Sequence, residues 1–179
     1  MKRPPARPAA TGQRSVIVLR APTAADEPAF LDAVQRSRRL HGRWVHPPST
    51  QQAYATWLAR AAQADHAARL VCLRATGELA GAIVVSNIVR GALRSGYLGY
   101  YAFADFEGRG FMRAGLQALV RQAFGALRLH RLEANIQPGN TASLALVRAC
   151  GFAREGFSPR YLKIGGRWRD HERWAIRAD

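Results

Sequence analysis

The chain has 179 residues, and 48% of them are hydrophobic, which is enough to build the core of one domain. Its 27 lysines and arginines outnumber its 12 aspartates and glutamates and give a formal charge of +15. That balance favours polyanionic partners such as nucleic acid, a ribosomal particle, an anionic membrane face or a polyphosphate cofactor. Because the charges are spread along the chain, a soluble, arginine-rich protein without such a partner is the alternative. Composition argues against a disulfide scaffold, because there are two cysteines, and against a membrane span, because no segment approaches the roughly 18 apolar residues that a span needs.

Residues 1–14 are basic and rich in proline and show no hydrophobic period, so we expect a disordered basic tail ahead of one folded domain over residues 15–179. The basic start leads into prolines and not into an apolar signal region, which argues against export. Cys72 and Cys150 both lie in apolar segments, and we expect buried, reduced thiols. These features favour a cytoplasmic protein.

The first half of the chain predicts two helices between strands. A strand over Ser15–Arg20 precedes a helix that starts at a capping box of Thr23 and Asp26 and ends near Arg39. The next predicted elements are a loop over His41–Pro48, a helix beginning at Ser49 or Thr50, and two strands, Leu70–Arg74 and Leu79–Ser86, joined by a turn as a hairpin.

A glycine-rich turn, Glu107–Leu116, follows a loop over Asn87–Ser95 and a fourth strand over Gly96–Phe103 and opens an amphipathic helix. Gly108 and Gly110 allow backbone conformations that residues with a Cβ rarely adopt, so successive N–H groups can converge on an anion at the positive end of the helix. The turn matches neither the Walker loop nor the dinucleotide fingerprint. It predicts a phosphate cradle, although such a turn also serves as a plain strand-to-helix connection.

The rest of the chain predicts a fifth strand over Arg131–Gln137 and a short helix that Asn140 caps and Gly151 ends. Two more strands within Phe152–Ile176 flank the turn Gly165–Gly166. This order of elements favours an α+β protein with helices on both faces of one sheet.

An ordered set of short motifs resembles the GNAT acetyltransferase superfamily and, within it, the RimJ-type ribosomal-protein alanine N-acetyltransferases. The matching segments run from about Val16 to Ile176 and comprise Ser86–Gly91, Tyr97–Tyr100, Glu107–Met112, His130–Ala134, Asn140–Ser143, Cys150–Phe152, Glu155–Gly156 and Tyr161–His171. The resemblance implies a mixed central sheet whose fourth and fifth strands splay apart, with acetyl-CoA as the acetyl donor and a primary amine as the acceptor.

The resemblance also implies which residues hold acetyl-CoA. The pantetheine arm would pair with the strand edge of Tyr100, Tyr101, Ala102 and Phe103, where a backbone N–H could stabilise an oxyanion. The pyrophosphate would lie on the turn, at Gly108, Arg109, Gly110, Phe111, Met112 and Arg113. Asn140 would contact pantetheine, or act only as a helix cap, and Ser143 would donate a proton or hydrogen bond to the leaving thiolate. Glu107 and Ala114 depart from the residues usual in that loop.

The acceptor side is less sharply indicated. Glu133 and Asn135 alternate on the fifth strand, so they share one face and could hold a water that accepts the amine proton; an ion-paired surface Glu133 is the alternative. The resemblance places the terminal hairpin, with Arg169, Asp170 and His171, at the acceptor site. The predicted acceptor-contact residues are Trp44, Tyr54, Tyr161 and Trp168, with a place in the core as the alternative for each. No metal site is expected, because the histidines do not cluster.

Three functions fit this reading. The first is acetylation of the N-terminal α-amino group of a ribosomal protein, presented on a ribosomal precursor with RNA contact through the basic surface. An α-amine has a pKa of about 7.7 to 8, against about 10.4 for lysine, so it needs only a weak base. The second is acetylation of a small amine, such as an antibiotic, a polyamine or an aminoacyl nucleotide. The third is a non-catalytic ribosome-binding factor.

Overall fold

The computed structural model describes residues 16–42 and 44–178. The predicted tail over residues 1–14 and the predicted strand start at Ser15 lie outside the described residues. The strands are β1 (Ile17–Arg20), β2 (Ala67–Leu73), β3 (Leu79–Val89), β4 (Ser95–Ala102), β5 (Arg131–Ile136), β6 (Ala153–Ile164) and β7 (Arg167–Arg177). The helices are α1 (Glu27–Arg36), α2 (Arg38–His41), α3 (Gln51–Ala61), α4 (Phe111–Phe124) and α5 (Thr141–Ala149).

The seven strands form one sheet in the order β1-β2-β3-β4-β5-β7-β6, and only the pair β4 and β5 is parallel. One core cluster packs α4 and α5 on one face of the sheet, with Leu116, Leu119 and Val147 fully buried. A second cluster packs α1 and α3 on the opposite face around the aromatic pair Phe30 and Tyr54, whose ring centroids are 5.0 Å apart. The α+β fold with helices on both faces is confirmed.

The parallel strands β4 and β5 separate after a short stretch of pairing. They are in register only at Ser95 with Arg131, Gly96 with Leu132 and Tyr97 with Glu133. Beyond Tyr97, β4 continues to pair with β3 on its other side, and β5 continues to pair with β7. The predicted splay of strands 4 and 5 is therefore confirmed, and it leaves one edge of each strand facing a gap.

The predicted first helix does not run unbroken to Arg39. It ends at Ser37, whose hydroxyl donates to the carbonyl of Ala33 at 2.6 Å and accepts the N–H of Ala104 at 2.9 Å. A serine that hydrogen-bonds back to the preceding turn competes with helix continuation. The chain therefore restarts as the single turn α2, which brings His41, predicted to lie in a loop, to the end of β4.

Other boundaries differ from the sequence prediction in ways that pairing explains. β3 extends to Val89 because it resumes pairing with Ser95 after an irregularity at residues 87–88. β4 ends at Ala102, and Phe103 begins the turn that follows. Cys72 is buried, as expected, whereas Cys150 is partly exposed. Among the described residues, no helix is long and apolar enough to cross a membrane.

Candidate functional site

A cavity of about 520 Å³ lies where β4 and β5 separate. The start of α4 and one side of α5 border it at one end, and α2, the following loop and the β6–β7 hairpin border it at the other. Eleven of the predicted site residues line it: Trp44, Tyr100, Tyr101, Ala102, Gly108, Gly110, Met112, Arg113, Asn135, Asn140 and Ser143. The cavity therefore joins segments that are distant in sequence, and it joins them at the gap that the sheet leaves open.

The glycine turn forms an open cradle at one end of this cavity. Gly108 and Gly110 have φ angles of +70° and +80°, and a Cβ added at either would meet no atom within 4 Å. Gly110 is the N-cap of α4, so the first N–H groups of the helix are donors without intrahelical acceptors and lie at the positive end of the helix dipole. Arg113 adds a cation and Glu107 an anion to the lining. The cradle fits a phosphate group.

Three residues predicted to bind the cofactor lie outside the lining. The guanidinium of Arg109 lies over the rings of Phe106 and Phe111, at 5.6 and 5.2 Å from their centroids. Phe103 is buried, and its N–H donates to the carbonyl of Ala80 at 2.9 Å. These side chains shape the turn and the core, because each already packs against other protein groups.

Backbone hydrogen bonds show which residues of β4 direct their N–H and C=O groups towards the gap. A strand residue points its N–H and C=O to one side, and successive residues alternate. Phe103 points its N–H to β3, whereas the carbonyl of Ala102 accepts a hydrogen bond from Nε2 of His41 at 2.8 Å. Ala102, Tyr100 and Leu98 therefore turn their backbone groups towards the gap. The N–H of Tyr100 is available there for an oxyanion or an extended ligand.

The N-terminus of α5 is tied to β4. The side-chain oxygen of Asn140 accepts the N–H of Ser143 at 3.1 Å, so Asn140 is the N-cap of this helix, as predicted. The hydroxyl of Tyr100 donates to the carbonyl of Ser143, also at 3.1 Å. Burial raises the pKa of Tyr100 well above its usual range, so the hydroxyl stays protonated as a donor. These bonds leave the amide NH2 of Asn140 and the hydroxyl of Ser143 available to a ligand.

The opposite end of the cavity contains buried polar atoms that are not hydrogen-bonded. The side-chain oxygen of Asn135 and the hydroxyl of Tyr101 are buried and have no partner within the described ranges. Two buried histidines, His41 and His171, also line this end. Burial lowers the pKa of each, and their hydrogen bonds to the carbonyls of Ala102 and Arg169 oppose the shift. Both imidazoles are therefore neutral at pH 7.

The remaining predicted site residues lie elsewhere. Glu133 is held by Arg131, with 2.8 Å between Oε1 and Nε, and does not line the cavity. Tyr54 lies in the core, donates to the carbonyl of Thr23 at 2.8 Å and has its pKa raised to about 12 by burial. Tyr161 packs its ring against His171 at 6.1 Å between centroids and does not line the cavity. Trp168 is 60% exposed on the hairpin.

Sequence reasoning missed several lining residues. Four further residues that line the cavity, His41, Gly99, Leu162 and Ile164, have no predicted role from the sequence. Gly99 lies between Tyr97 and Tyr101, so a glycine among large strand residues was a signal of open space on that face. The described part of the chain holds no cluster of three metal-ligating side chains.

Residues 17–153 match the acetyltransferase (GNAT) domain family. The chain belongs to this family, and the resemblance read from its motifs is confirmed. The match covers the cradle, the splayed strands and the capped helix α5, whereas the β6–β7 hairpin that closes the other end of the cavity lies almost entirely beyond it.

Two curated relatives are similar over part of the chain. The probable N-acetyltransferase YjcK of Bacillus subtilis (strain 168) is 37% identical over 98 residues, which are 55% of this chain and 54% of the relative. The ribosomal protein uS5 alanine N-acetyltransferase of Escherichia coli (strain K12) is 39% identical over 94 residues, 52% of this chain and 48% of the relative. The chain thus spans about half the length of these curated relatives.

Solved structures extend the similarity to most of the chain. Mycobacterium smegmatis RimJ in complex with CoA-disulfide has a TM-score of 0.83 at 29% identity, covering 90% of this chain and 82% of that chain. The ribosomal-protein-S5-alanine acetyltransferase from Vibrio fischeri has a TM-score of 0.82 at 25% identity, covering 92% and 94%.

Proposed function

We propose that this protein transfers the acetyl group of acetyl-CoA to the α-amino group of a protein N-terminus, and that the acceptor is a ribosomal protein. The observation that carries the proposal is the continuous cavity from the phosphate cradle at Gly108 and Gly110, through the gap beside Tyr100, to the buried polar atoms around Asn135. A thioester lying along this path brings its acyl carbon between the gap edge and the acceptor end.

The residues present fit acetyl-CoA along this path. The first turn of α4 and the side chain of Arg113 suit the pyrophosphate, because donors and a cation converge there. The unpaired edges of β4 and β5 suit the amides of an extended arm, which can pair with them as a further strand would. The free amide NH2 of Asn140 lies on the same path, and the hydroxyl of Ser143 is a donor for the departing thiolate.

The reaction needs an amine to attack the thioester carbon while a donor stabilises the oxyanion. The N–H of Tyr100 is held rigidly by the pairing of β4 with β3, so it requires no reorganisation as charge develops. The amine nitrogen forms the new C–N bond, the C–S bond breaks, and the thiolate accepts a hydrogen bond from Ser143. Direct attack in a ternary complex is the simplest sequence that this single cavity supports.

The charge of the lining favours an N-terminus over a polyamine. Relatives include the spermidine N(1)-acetyltransferase of Vibrio cholerae, which is 29% identical over 72 residues. A polyamine carries several separated cations and requires carboxylates to match them. Among the described residues that line this cavity, Glu107 is the single carboxylate, and it lies at the phosphate cradle and not at the acceptor end. The apolar side chains of Leu40, Val45 and Leu162 instead suit a small first residue such as alanine.

The test is acetyl transfer to three acceptors by the purified protein. We expect acetylation of a peptide that begins with alanine. We expect no acetylation of a variant of this peptide that has a formylated N-terminus and an internal lysine. We expect slow or no acetylation of spermidine. Acetylation of spermidine in preference to the peptide would overturn the choice of acceptor, and no transfer to any amine would overturn the activity. Mass spectrometry of protein N-termini in cells lacking the protein then identifies the natural acceptor.

The net charge of +15 bears on how a ribosomal acceptor is presented. A basic enzyme and a free basic ribosomal protein repel each other, whereas RNA phosphates on a precursor particle attract the enzyme. Binding to particles should weaken steeply with salt through counterion release, while acetylation of a short neutral peptide should change little. Equal salt dependence for peptide and particles would contradict presentation on RNA.

A further inference from the structure

His171 lies on β7 with 1% of its surface exposed, and it lines the acceptor end of the cavity. Its Nδ1 is 2.9 Å from the carbonyl oxygen of Arg169. A carbonyl only accepts hydrogen bonds, so Nδ1 carries the proton of the neutral ring and Nε2 carries the lone pair. Nε2, the nitrogen further from the backbone, has no hydrogen-bond partner among residues 16–42 and 44–178. The protein thus holds one imidazole with its basic atom free.

Strand register places this base beside the unpaired oxygen of Asn135. Asn135 is opposite Arg173 in the pairing of β5 with β7. Residues two apart on a strand share a face, so His171 and Arg173 lie on the face that carries Asn135. Diagonal neighbours of this kind are about 7–8 Å apart at their Cα atoms. An amine bound at this end of the cavity, next to Asn135, therefore lies within reach of a side chain at position 171.

The groups around His171 keep it neutral and in place. Burial lowers its pKa, and the Arg169 carbonyl and the nearby charge of Asp170 oppose that shift. The carboxylate of Asp170 accepts the N–H of Arg160 at 2.7 Å, and β6 contributes the ring edge of Tyr161. Arg173 lies two residues further along the same face. Arg169, two residues before His171 on the same face, has a buried Nε that no described residue hydrogen-bonds. Glu172 points to the opposite face, where it contacts Arg154 and Trp174.

The second imidazole of the cavity, that of His41, is the opposite tautomer. His41 uses Nε2 as the donor to the carbonyl of Ala102, so its lone pair is on Nδ1, the nitrogen next to its own backbone. Its ring also packs against Tyr101, 5.4 Å away between centroids. His41 therefore supports the edge of β4, whereas His171 presents its outer nitrogen to the cavity.

We propose that Nε2 of His171 is the general base, which accepts the proton that the acceptor amine loses as it attacks the thioester. The proposal rests on the proposed function. The amine nitrogen bonds to the acyl carbon, one N–H proton passes to Nε2, the C–S bond breaks and the thiol leaves as a thiolate. Exchange with solvent then returns the imidazolium to its neutral form and supplies the proton of the free thiol.

This base suits an α-amine better than a lysine. Burial lowers the pKa of His171 below the ordinary histidine value, so this imidazole is closer in pKa to an α-amine, at about 7.7 to 8, than to a lysine amine, at about 10.4. Proton transfer is efficient when donor and acceptor are closely matched and the base is unprotonated at the working pH. The same residue therefore accounts for both proton removal and preference for N-termini.

The first experiment measures the tautomer without any substrate. Nitrogen-15 NMR of the histidine side chains in the free protein should show His171 as the Nδ1–H tautomer, titrating below 6.5, which is the ordinary value for histidine. Assignment by comparison with the His171→Gln spectrum identifies the signal. An Nε2–H tautomer for this ring would overturn the proposal, because the basic nitrogen would then face Arg169.

The second experiment measures turnover with a peptide that begins with alanine. His171→Ala should lower kcat by a factor on the order of 10² to 10⁴, the usual contribution of a general base. CoA affinity should change less than about twofold, because a base acts on the transition state and not on cofactor binding. Added imidazole should restore part of the rate, and the residual rate should rise with pH without the wild-type plateau. His130→Ala, an exposed histidine outside the cavity, is the matched control and should behave as wild type.

The outcomes separate this proposal from the activity itself. If wild-type protein acetylates the peptide and His171→Ala keeps its rate and pH profile, His171 is not the base. If His171→Ala does not fold by circular dichroism, His171→Gln, which has similar volume and no basic nitrogen, takes its place with the same expected loss. If the wild-type protein transfers acetyl groups to no amine, the proposed function fails, whatever the NMR tautomer.

Discussion

The two ends of the cavity use their polar groups differently. At the cofactor end, the polar groups are hydrogen-bonded: the hydroxyl of Tyr100 donates to the carbonyl of Ser143, and the side-chain oxygen of Asn140 accepts the N–H of Ser143. At the acceptor end, the hydroxyl of Tyr101 and the side-chain oxygen of Asn135 are buried without partners in the described part of the chain. Tyr100 and Tyr101 are adjacent in sequence but lie on opposite faces of β4. The hydroxyl of Tyr100 is hydrogen-bonded, whereas the hydroxyl of Tyr101 has no partner among the described residues.

The difference indicates which end is rigid before binding. A buried polar group without a partner costs about 1–3 kcal/mol, so the acceptor end carries a cost in stability that the hydrogen-bonded cofactor end does not. The cofactor end is built from backbone N–H groups and glycine conformations that the fold fixes. The acceptor end instead holds buried polar atoms that the described residues leave unpaired. Changes at the first should alter cofactor binding, and changes at the second should alter acceptor use and stability.

The largest effect is expected at the cradle. Gly110→Val should reduce CoA affinity by more than about a hundredfold, because a β-branched residue is strained at φ +80° and its side chain would occupy the space that the phosphate needs. Isothermal titration calorimetry with CoA measures the loss. Gly91→Val is the matched control, since Gly91 has a similar positive φ of +70° and open surroundings but lies outside the cavity lining. Equal CoA affinity for wild type and Gly110→Val would refute the cradle.

The second largest effect is expected for Ser143→Ala. We expect kcat to fall by roughly one to three orders of magnitude with little change in CoA affinity, because the hydroxyl interacts with the thiolate only as it departs. Steady-state kinetics with a peptide that begins with alanine measures it. Glu133→Gln should act more weakly, since Arg131 holds that carboxylate outside the cavity. Wild-type turnover in Ser143→Ala would leave this residue with a role in the helix start alone.

Gly99→Val tests the acceptor end by adding volume. A Cβ at Gly99 would meet no atom within 4 Å, although the residue lines the cavity. A β-branched residue also suits a strand, so we expect the fold to persist and the KM for the peptide to rise about tenfold, the effect of misfit in an apolar pocket. CoA affinity should stay within a factor of about two of wild type. A larger loss of CoA affinity than of peptide affinity would show that this part of the cavity holds the cofactor.

The adjacent tyrosines give the most direct comparison of stability. Tyr100→Phe should lower the free energy of unfolding by about 1 kcal/mol, because it removes a made hydrogen bond to Ser143. Tyr101→Phe should leave it unchanged or raise it slightly, because the hydroxyl it removes is buried and unpaired. Urea unfolding followed by circular dichroism measures both. Equal destabilisation by the two variants would mean that Tyr101 is hydrogen-bonded in the folded protein.

The smallest expected effect is on pH dependence. Burial lowers the pKa of His41 and His171 in the folded state, so the unfolded chain binds more protons as the pH falls below the ordinary histidine pKa of about 6.5. The stability that these neutral rings contribute is present above that pH and is lost as the pH falls towards their folded-state values. Urea unfolding between pH 7 and pH 5 should therefore show falling stability, with a shallower slope for His171→Gln. An unchanged slope in that variant would contradict the burial effect at His171.

The sequence by itself determined the elements that depend on neighbours in the chain. Gly108 and Gly110 indicated left-handed backbone positions before a helix, and Asn140 indicated a helix cap, because φ preferences and capping are local. The order of these motifs was enough to identify the family and to predict the splay of strands 4 and 5.

Only the tertiary structure decided how the acceptor end is built. The break at Ser37 depends on a hydrogen bond to Ala104, 67 residues away, and it is this break that brings His41 to β4. Arg131 holds Glu133 in an ion pair outside the cavity lining, while the β5–β7 register brings His171 close to Asn135. Which polar atoms are paired and which stay free depends on contacts between distant segments, and these are fixed only when the sheet and helices pack.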